Sequence, residues 1–64
     1  MKQNDLIKHI RKHGCVFIRE GSSHSVWYNP LTGRTSTIPR HSEINTYTGK
    51  KICNDLGVVI INKK

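Results

Sequence analysis

At 64 residues the chain has room for one small domain, 1–64, and none for a deep cofactor cleft, because a chain of this size buries only about 60% of the surface its unfolded form exposes. Eleven Lys and Arg against four Asp and Glu leave a formal charge of +7, a field that favours polyanions, nucleic acid first among them; the plainer use of such charge is solubility. No apolar run approaches the roughly 18 residues of a membrane span, the first five residues lack the apolar core of a signal peptide, and the basic residues are scattered rather than gathered on one amphipathic helix. A cytoplasmic chain without a membrane partner is expected.

Asn4-Asp5 followed by Leu6, Ile7 and Ile10 at helical spacing predicts a short amphipathic helix with Asn4 as its N-cap and Gly14 as its stop. Lys12 and His13 fall in its last turn, where positive charge suits the helix dipole. His9 and His13 stand at i, i+4 without the Glu of the zinc-protease signature, and so read as helix-surface residues.

Cys15 to Arg19 switches to β-branched and aromatic residues, the pattern of a strand, and Glu20-Gly21-Ser22-Ser23 supplies a turn. A second strand runs from His24 to Tyr28 and ends at Asn29-Pro30-Leu31-Thr32-Gly33, with Pro and Gly at turn positions. A third, Arg34 to Ile38, alternates so that one face is polar, and Pro39 closes it because proline cannot donate to a central ladder. Such short connections make an antiparallel meander with one face for the helices to cover.

Residues 40–45 read as a linker, followed by a second helix from Tyr47 or Thr48 to Leu56, with Thr48 as N-cap, Ile52, Cys53 and Leu56 as its apolar face, and Gly57 as its stop. Gly49 weakens that helix slightly. Val58 to Ile61 reads as a further short strand or an extended segment against the sheet. Cys15 and Cys53 are too few for a disulfide framework and each lies in an apolar run, so both are expected reduced and buried.

The predicted fold is therefore α+β, helix, three antiparallel strands, helix, with a possible C-terminal strand. This is the element order of the double-stranded-RNA-binding domain, and fold alone does not fix function.

Ser23-His24-x-x-Trp27, Ile38-Pro39-x-His41-x-Glu43-Ile44 and Thr48-x-Lys50-x-Ile52-Cys53-x-x-Leu56-Gly57-Val58, in this order and spacing, resemble the HicA toxins of type II toxin–antitoxin systems. Asp5-Leu6-Ile7-Lys8 to His13-Gly14 is similar to their first helix, so the resemblance covers nearly the whole chain. It implies a small mRNA-cleaving ribonuclease of double-stranded-RNA-binding-like fold, held inactive by an antitoxin of the HicB type. It also implies that His24, at the position of the histidine in the family's Gly-Ser/Thr-His motif, is the catalytic residue. Here Ser22 stands between Gly21 and Ser23, and Tyr47 replaces the family's glycine before Thr48.

The chemistry needs little more than such a histidine. RNA carries its own nucleophile, the 2′-hydroxyl; cleavage requires a base for its proton, a cation for the charge on phosphorus and in-line placement. Histidine has an unperturbed pKa near neutrality, and a positioned general base contributes about 10²- to 10⁴-fold. The expected reaction is metal-independent transesterification leaving a 2′,3′-cyclic phosphate or 3′-phosphate. Asp5, Glu20, Glu43 and Asp55 are too dispersed in sequence to suggest a two-metal site, and no cofactor is expected.

Candidate RNA-contacting residues are Ser23, Trp27, Tyr28, Lys50 and Lys51. Trp27 and Tyr28 point to opposite faces of one strand, so one packs in the core while the other is free to stack on a base or to be ordinary sheet surface. Ser23 and Ser25 either orient the imidazole or form the turn, the turn being favoured. His41 is a second acid–base group or a linker hydrogen-bond residue. Lys50 and Lys51, at the start of the second helix, offer phosphate contacts beside outward-pointing backbone N–H groups or form a solvated helix end. Two other classes fit the same residues: a non-catalytic nucleic-acid-binding module, and a protein-interaction subunit whose basic surface meets an acidic partner.

Overall fold

The computed structural model describes residues 1–60, and within them the element order is α1 (Gln3–Lys12), β1 (Val16–Glu20), β2 (His24–Asn29), β3 (Arg34–Pro39) and α2 (Thr46–Leu56). The strands form one antiparallel sheet in the order β1-β2-β3. Helix, three strands, helix is the expected α+β arrangement.

Side-chain period decides the layering. Along β2, Ser25, Trp27 and Asn29 are buried while His24, Val26 and Tyr28 lie on the opposite, open face. Paired residues share a face, so Ser36 and Ile38 of β3 join the inner layer and Thr35, Thr37 and Pro39 the open one. The inner layer meets Leu6 and Ile10 of α1 and Ile52, Cys53 and Leu56 of α2, with Cys15, Ile44 and Val58 completing the core. Leu6, Ile10, Ile38 and Leu56 are fully buried, each worth roughly 1.5–3 kcal/mol in apolar transfer.

Both helices begin earlier than their sequence signals suggest. Lys2, not Asn4, is the N-cap of α1, and its side chain makes no capping hydrogen bond. A β-bridge between Lys2 and Glu43, with Gln3 N–H donating to Ser42 O at 2.9 Å and Ile44 N–H to Met1 O at 2.7 Å, fixes where α1 starts. Asn45, not Thr48, caps α2, its side-chain oxygen accepting from Tyr47 N–H at 2.8 Å. Gly49 is buried inside α2, with the Met1 side chain lying where its Cβ would be. Gly14 and Gly57 follow the two helices at φ +95° and +72°, the left-handed conformation that glycine adopts without steric penalty.

Strand ends also shift by a residue. Cys15 precedes β1, and Pro39 is the last residue of β3, an edge strand where its missing N–H costs no ladder bond. The polar-face expectation for β3 holds only in part, because inner-face Ser36 is polar too and donates to Asp55 at 3.4 Å. Of the two forms expected here, strand or extended segment, Val58 to Ile60 do not form a strand: Val58 packs into the core, while Val59 O accepts from His9. Ile61 lies outside the described residues. Neither Cys15 nor Cys53 is in a disulfide, and both are buried as expected. No described helix is long and apolar enough to cross a membrane.

Candidate active site at the start of the second strand

His24 is the first residue of β2, pairs with Pro39 at the end of β3, and is exposed on the open face. The hairpin loop before it is three residues, Gly21, Ser22 and Ser23. Gly21 N–H donates to His24 O at 2.6 Å, closing the loop, and Arg40 N–H donates to Ser23 O at 3.2 Å, tying it to the end of β3. Around the same loop, Arg40 Nε and Glu20 Oε2 form an ion pair at 2.7 Å. A methyl on Gly21 would lie 2.8 Å from His24 O, so glycine is what permits this approach. Ser22, the additional residue, sits exposed in the loop.

Ser23 Oγ lies 3.1 Å from His24 Nδ1, within hydrogen-bond range. Ser25 points the other way, accepting from Trp27 Nε1 at 3.0 Å inside the core. Of the two serines, then, only Ser23 reaches the imidazole, and Ser25 belongs to neither the loop nor the ring.

The Trp27–Tyr28 alternation resolves with Trp27 in the core. It is 3% exposed, edge-on to Phe17 at 5.7 Å between centroids, with the Arg11 guanidinium 5.3 Å from its ring. Trp27 therefore has no free ring face to offer a base, and the expectation that it contacts RNA is corrected; Tyr28, half-buried on the open face with His24, is the available ring. Lys50 and Lys51 are exposed but lie in the second turn of α2, because the helix starts at Thr46 rather than Thr48. The free N–H groups of the helix start are not beside them.

A shallow depression of about 160 Å³ at the β3 edge is lined by His24, Thr37, Pro39, Thr48, Lys51 and Asp55 among others. It brings Lys51 to the histidine but not Lys50. Thr37, Thr48 and Asp55 are additions that sequence reasoning did not nominate; the i, i+4 pairing of Lys51 Nζ with Asp55 Oδ2, at 3.9 Å, was the available signal. His41 lines a different hollow, with Phe17, Trp27 and Arg40 on the inner side of the sheet. His24 and His41 thus line different depressions.

The other two histidines are structural. His13 Nδ1 is 2.9 Å from His9 O, and His9 Nε2 is 2.7 Å from Val59 O, so each ring pins a backbone carbonyl. The carboxylates are separated as well: Glu20 pairs with Arg40, Glu43 with the Met1 ammonium at 2.7 Å, and Asp55 with Lys51. Among the described residues no three His, Cys, Asp or Glu side chains are grouped as metal ligands. Cys15 is no nucleophile, since burial foremost and the neighbouring Cys53 second push its thiol pKa up.

Comparison with curated proteins gives no match, and comparison with solved structures gives none either. The model of one family, the HicA toxin of bacterial toxin–antitoxin systems, matches residues 4–58. That span runs from the first turn of α1 through the His24 hairpin to the core residue Val58, and the chain belongs to the HicA toxin family.

Proposed function

We propose that this toxin is an endoribonuclease that cleaves mRNA with His24 as its single catalytic histidine, without a metal ion, and that an antitoxin of the HicB type holds it inactive. The observation that carries this reading is the setting of His24: exposed at the first position of a strand, with its loop closed by Gly21 and tied by Arg40, and with Lys51 on the same depression. A rigid element holds a reacting group closer to its working geometry than a loop does.

In the tautomer that serves as base, His24 Nδ1–H donates to Ser23 Oγ and Nε2 keeps its lone pair for the 2′-hydroxyl proton. The 2′-oxygen then attacks the adjacent phosphorus and the P–O5′ bond breaks; the departing 5′-oxygen takes a proton from water, and a 2′,3′-cyclic phosphate and a 5′-hydroxyl are left. Lys51 offsets charge on the phosphate. Tyr28 gives a base a ring to stack on, and the exposed Ser23 and Lys50 flank the path as further RNA contacts. The domain is a single unit, 1–64, and acts in the cytoplasm, where mRNA is found.

Purified wild type and His24→Ala, incubated with mRNA in chelator-containing buffer, test this directly. Wild type is expected to cleave, and His24→Ala to lose about 10²- to 10⁴-fold while its melting temperature and RNA affinity persist. Equal cleavage by the two proteins would remove His24 from the chemistry, and no cleavage by either would leave a non-catalytic RNA-binding module as the reading.

A further inference from the structure

The β1 edge is the most unusual surface outside the His24 site. All five of its residues are exposed, and Val16, Phe17 and Ile18 are consecutive apolar side chains each 46–48% accessible. β1 is an outer strand, and among the described residues no element pairs with its free side. Edge strands are usually blunted by charge, proline or cover, because a free row of backbone N–H and C=O groups templates another strand. Here the irregularity between Phe17 and Arg19 leaves Ile18 as the extra residue against β2. The bulge that protects many edges thus carries an isoleucine outward instead of a charge.

We propose that this edge is a docking site for an extended, acidic segment of the antitoxin, which joins the sheet as a fourth strand beside β1. The proposal rests on membership of a toxin–antitoxin family and not on the ribonuclease reading. Two features specify the segment. On the inner side, Phe17 opens onto a hollow of about 420 Å³ floored by Ile7, Phe17 and Trp27 and rimmed by Gln3 and the Glu20–Arg40 ion pair. An added strand sends alternate side chains to that side, and an apolar one fills the hollow. On the open side, Val16 and Arg19 face outward with Tyr28 and Val26, so the intervening side chain meets Arg19 and is best a carboxylate. In strand addition the main-chain bonds give affinity and such pockets give specificity.

Charge selects among occupants. Arg11, Arg19 and Arg40 surround the edge, and its one acid, Glu20, is already paired with Arg40. A second copy of a +7 chain is repelled by this field, whereas an acidic segment is drawn to it. Polyphosphate gains from the cations but leaves the backbone row and the apolar trio unmatched.

The test uses full-length toxin and the protein encoded in the adjacent reading frame. Hydrogen exchange is measured on free toxin and on the complex, and affinity on Ile18→Asp and Arg19→Glu, neither of which touches the His24 depression. Expected are new protection of the Val16–Glu20 amides in the complex and a loss of affinity of about tenfold or more for each variant, with RNA cleavage by free Ile18→Asp unchanged. A complex whose edge amides exchange as in free toxin overturns the proposal, as do variants that bind like wild type or free toxin that dimerises with those amides protected. Edge protection in a complex whose toxin never cleaves RNA upholds the docking site and sinks only the ribonuclease reading.

Discussion

Gly21 and His24 are joined at the closest approach in the hairpin: the glycine N–H donates to the histidine carbonyl at 2.6 Å, and a methyl group on Gly21 would stand 2.8 Å from that same oxygen. The atom in the way is backbone, so it cannot swing aside like a side-chain tip. Gly21→Ala must spread the loop and carry His24 with it. Overpacking of this kind costs typically 1–3 kcal/mol. The expected outcome is a modest fall in melting temperature with a larger fall in RNA cleavage, about 10-fold or more, since small misplacement of a reacting group is costly. A variant with wild-type cleavage would show that the loop closure does not position His24.

Lys51 is two-thirds exposed and its 3.9 Å contact with Asp55 is a surface pair, worth little to the fold. Lys51→Ala is expected to leave thermal stability within about 0.5 kcal/mol of wild type. As a phosphate contact, the same change should weaken RNA binding across sequences and reduce the slope of log affinity against log salt by about 1. Affinity measured at several salt concentrations reads both; an unchanged slope removes Lys51 from the interface.

Asn29 has a different duty at the far end of β2. It is 2% exposed; its Nδ2 donates to Leu56 O at 2.8 Å, and its Oδ1 accepts from Leu31 N–H at 3.0 Å. One side chain therefore links the β2–β3 turn to the C-terminus of α2. Asn29→Ala leaves the part-buried Leu31 N–H short of its acceptor and Leu56 O with only the Thr32 Oγ1 bond at 2.9 Å. A loss of about 1–3 kcal/mol is expected, read as a shift in denaturation midpoint with His24 chemistry intact in the folded fraction.

Cys15 ties stability to alkaline pH. Burial raises its thiol pKa above the ordinary 9.0, with Cys53 a smaller cause. The folded state thus holds the thiol proton more tightly than the unfolded chain does. The stabilisation is fully present below the ordinary value and is lost as pH rises from there through the folded value. Denaturation of wild type and Cys15→Ala at pH 7 and pH 10 checks the sign: the advantage of wild type should shrink at the higher pH.

The elements were legible where a local pattern and the tertiary fold agree. Leu6 and Ile10 at helical spacing, the alternation through Trp27, and Gly14 and Gly57 as stops all carry their information within a few residues. Helix starts were misread at Asn4 and Thr48 because the Lys2–Glu43 bridge, a contact 41 positions apart, and Asn45 outrank those local caps. His24 was legible as a loop–strand junction, and Ser23 as its neighbour. Which of Trp27 and Tyr28 faces inward was not, since period alone assigns opposite faces without saying which face the helices cover. Thr48 and Asp55 reach the histidine only through the packing of α2 against β3, and Thr37 through the register of β3 on β2; short of the i, i+4 spacing of Lys51 and Asp55, no local pattern announces them.

The single tryptophan of the chain sits on the side of the sheet away from His24, ringed by Phe17, Arg11 and Ser25. Nature has in effect placed an optical probe where it reports on one surface and ignores the other. Its emission will follow unfolding and any strand seated beside Phe17, yet stay silent when RNA occupies the open face. Two binding events on one small toxin can thus be told apart in a cuvette, without a label.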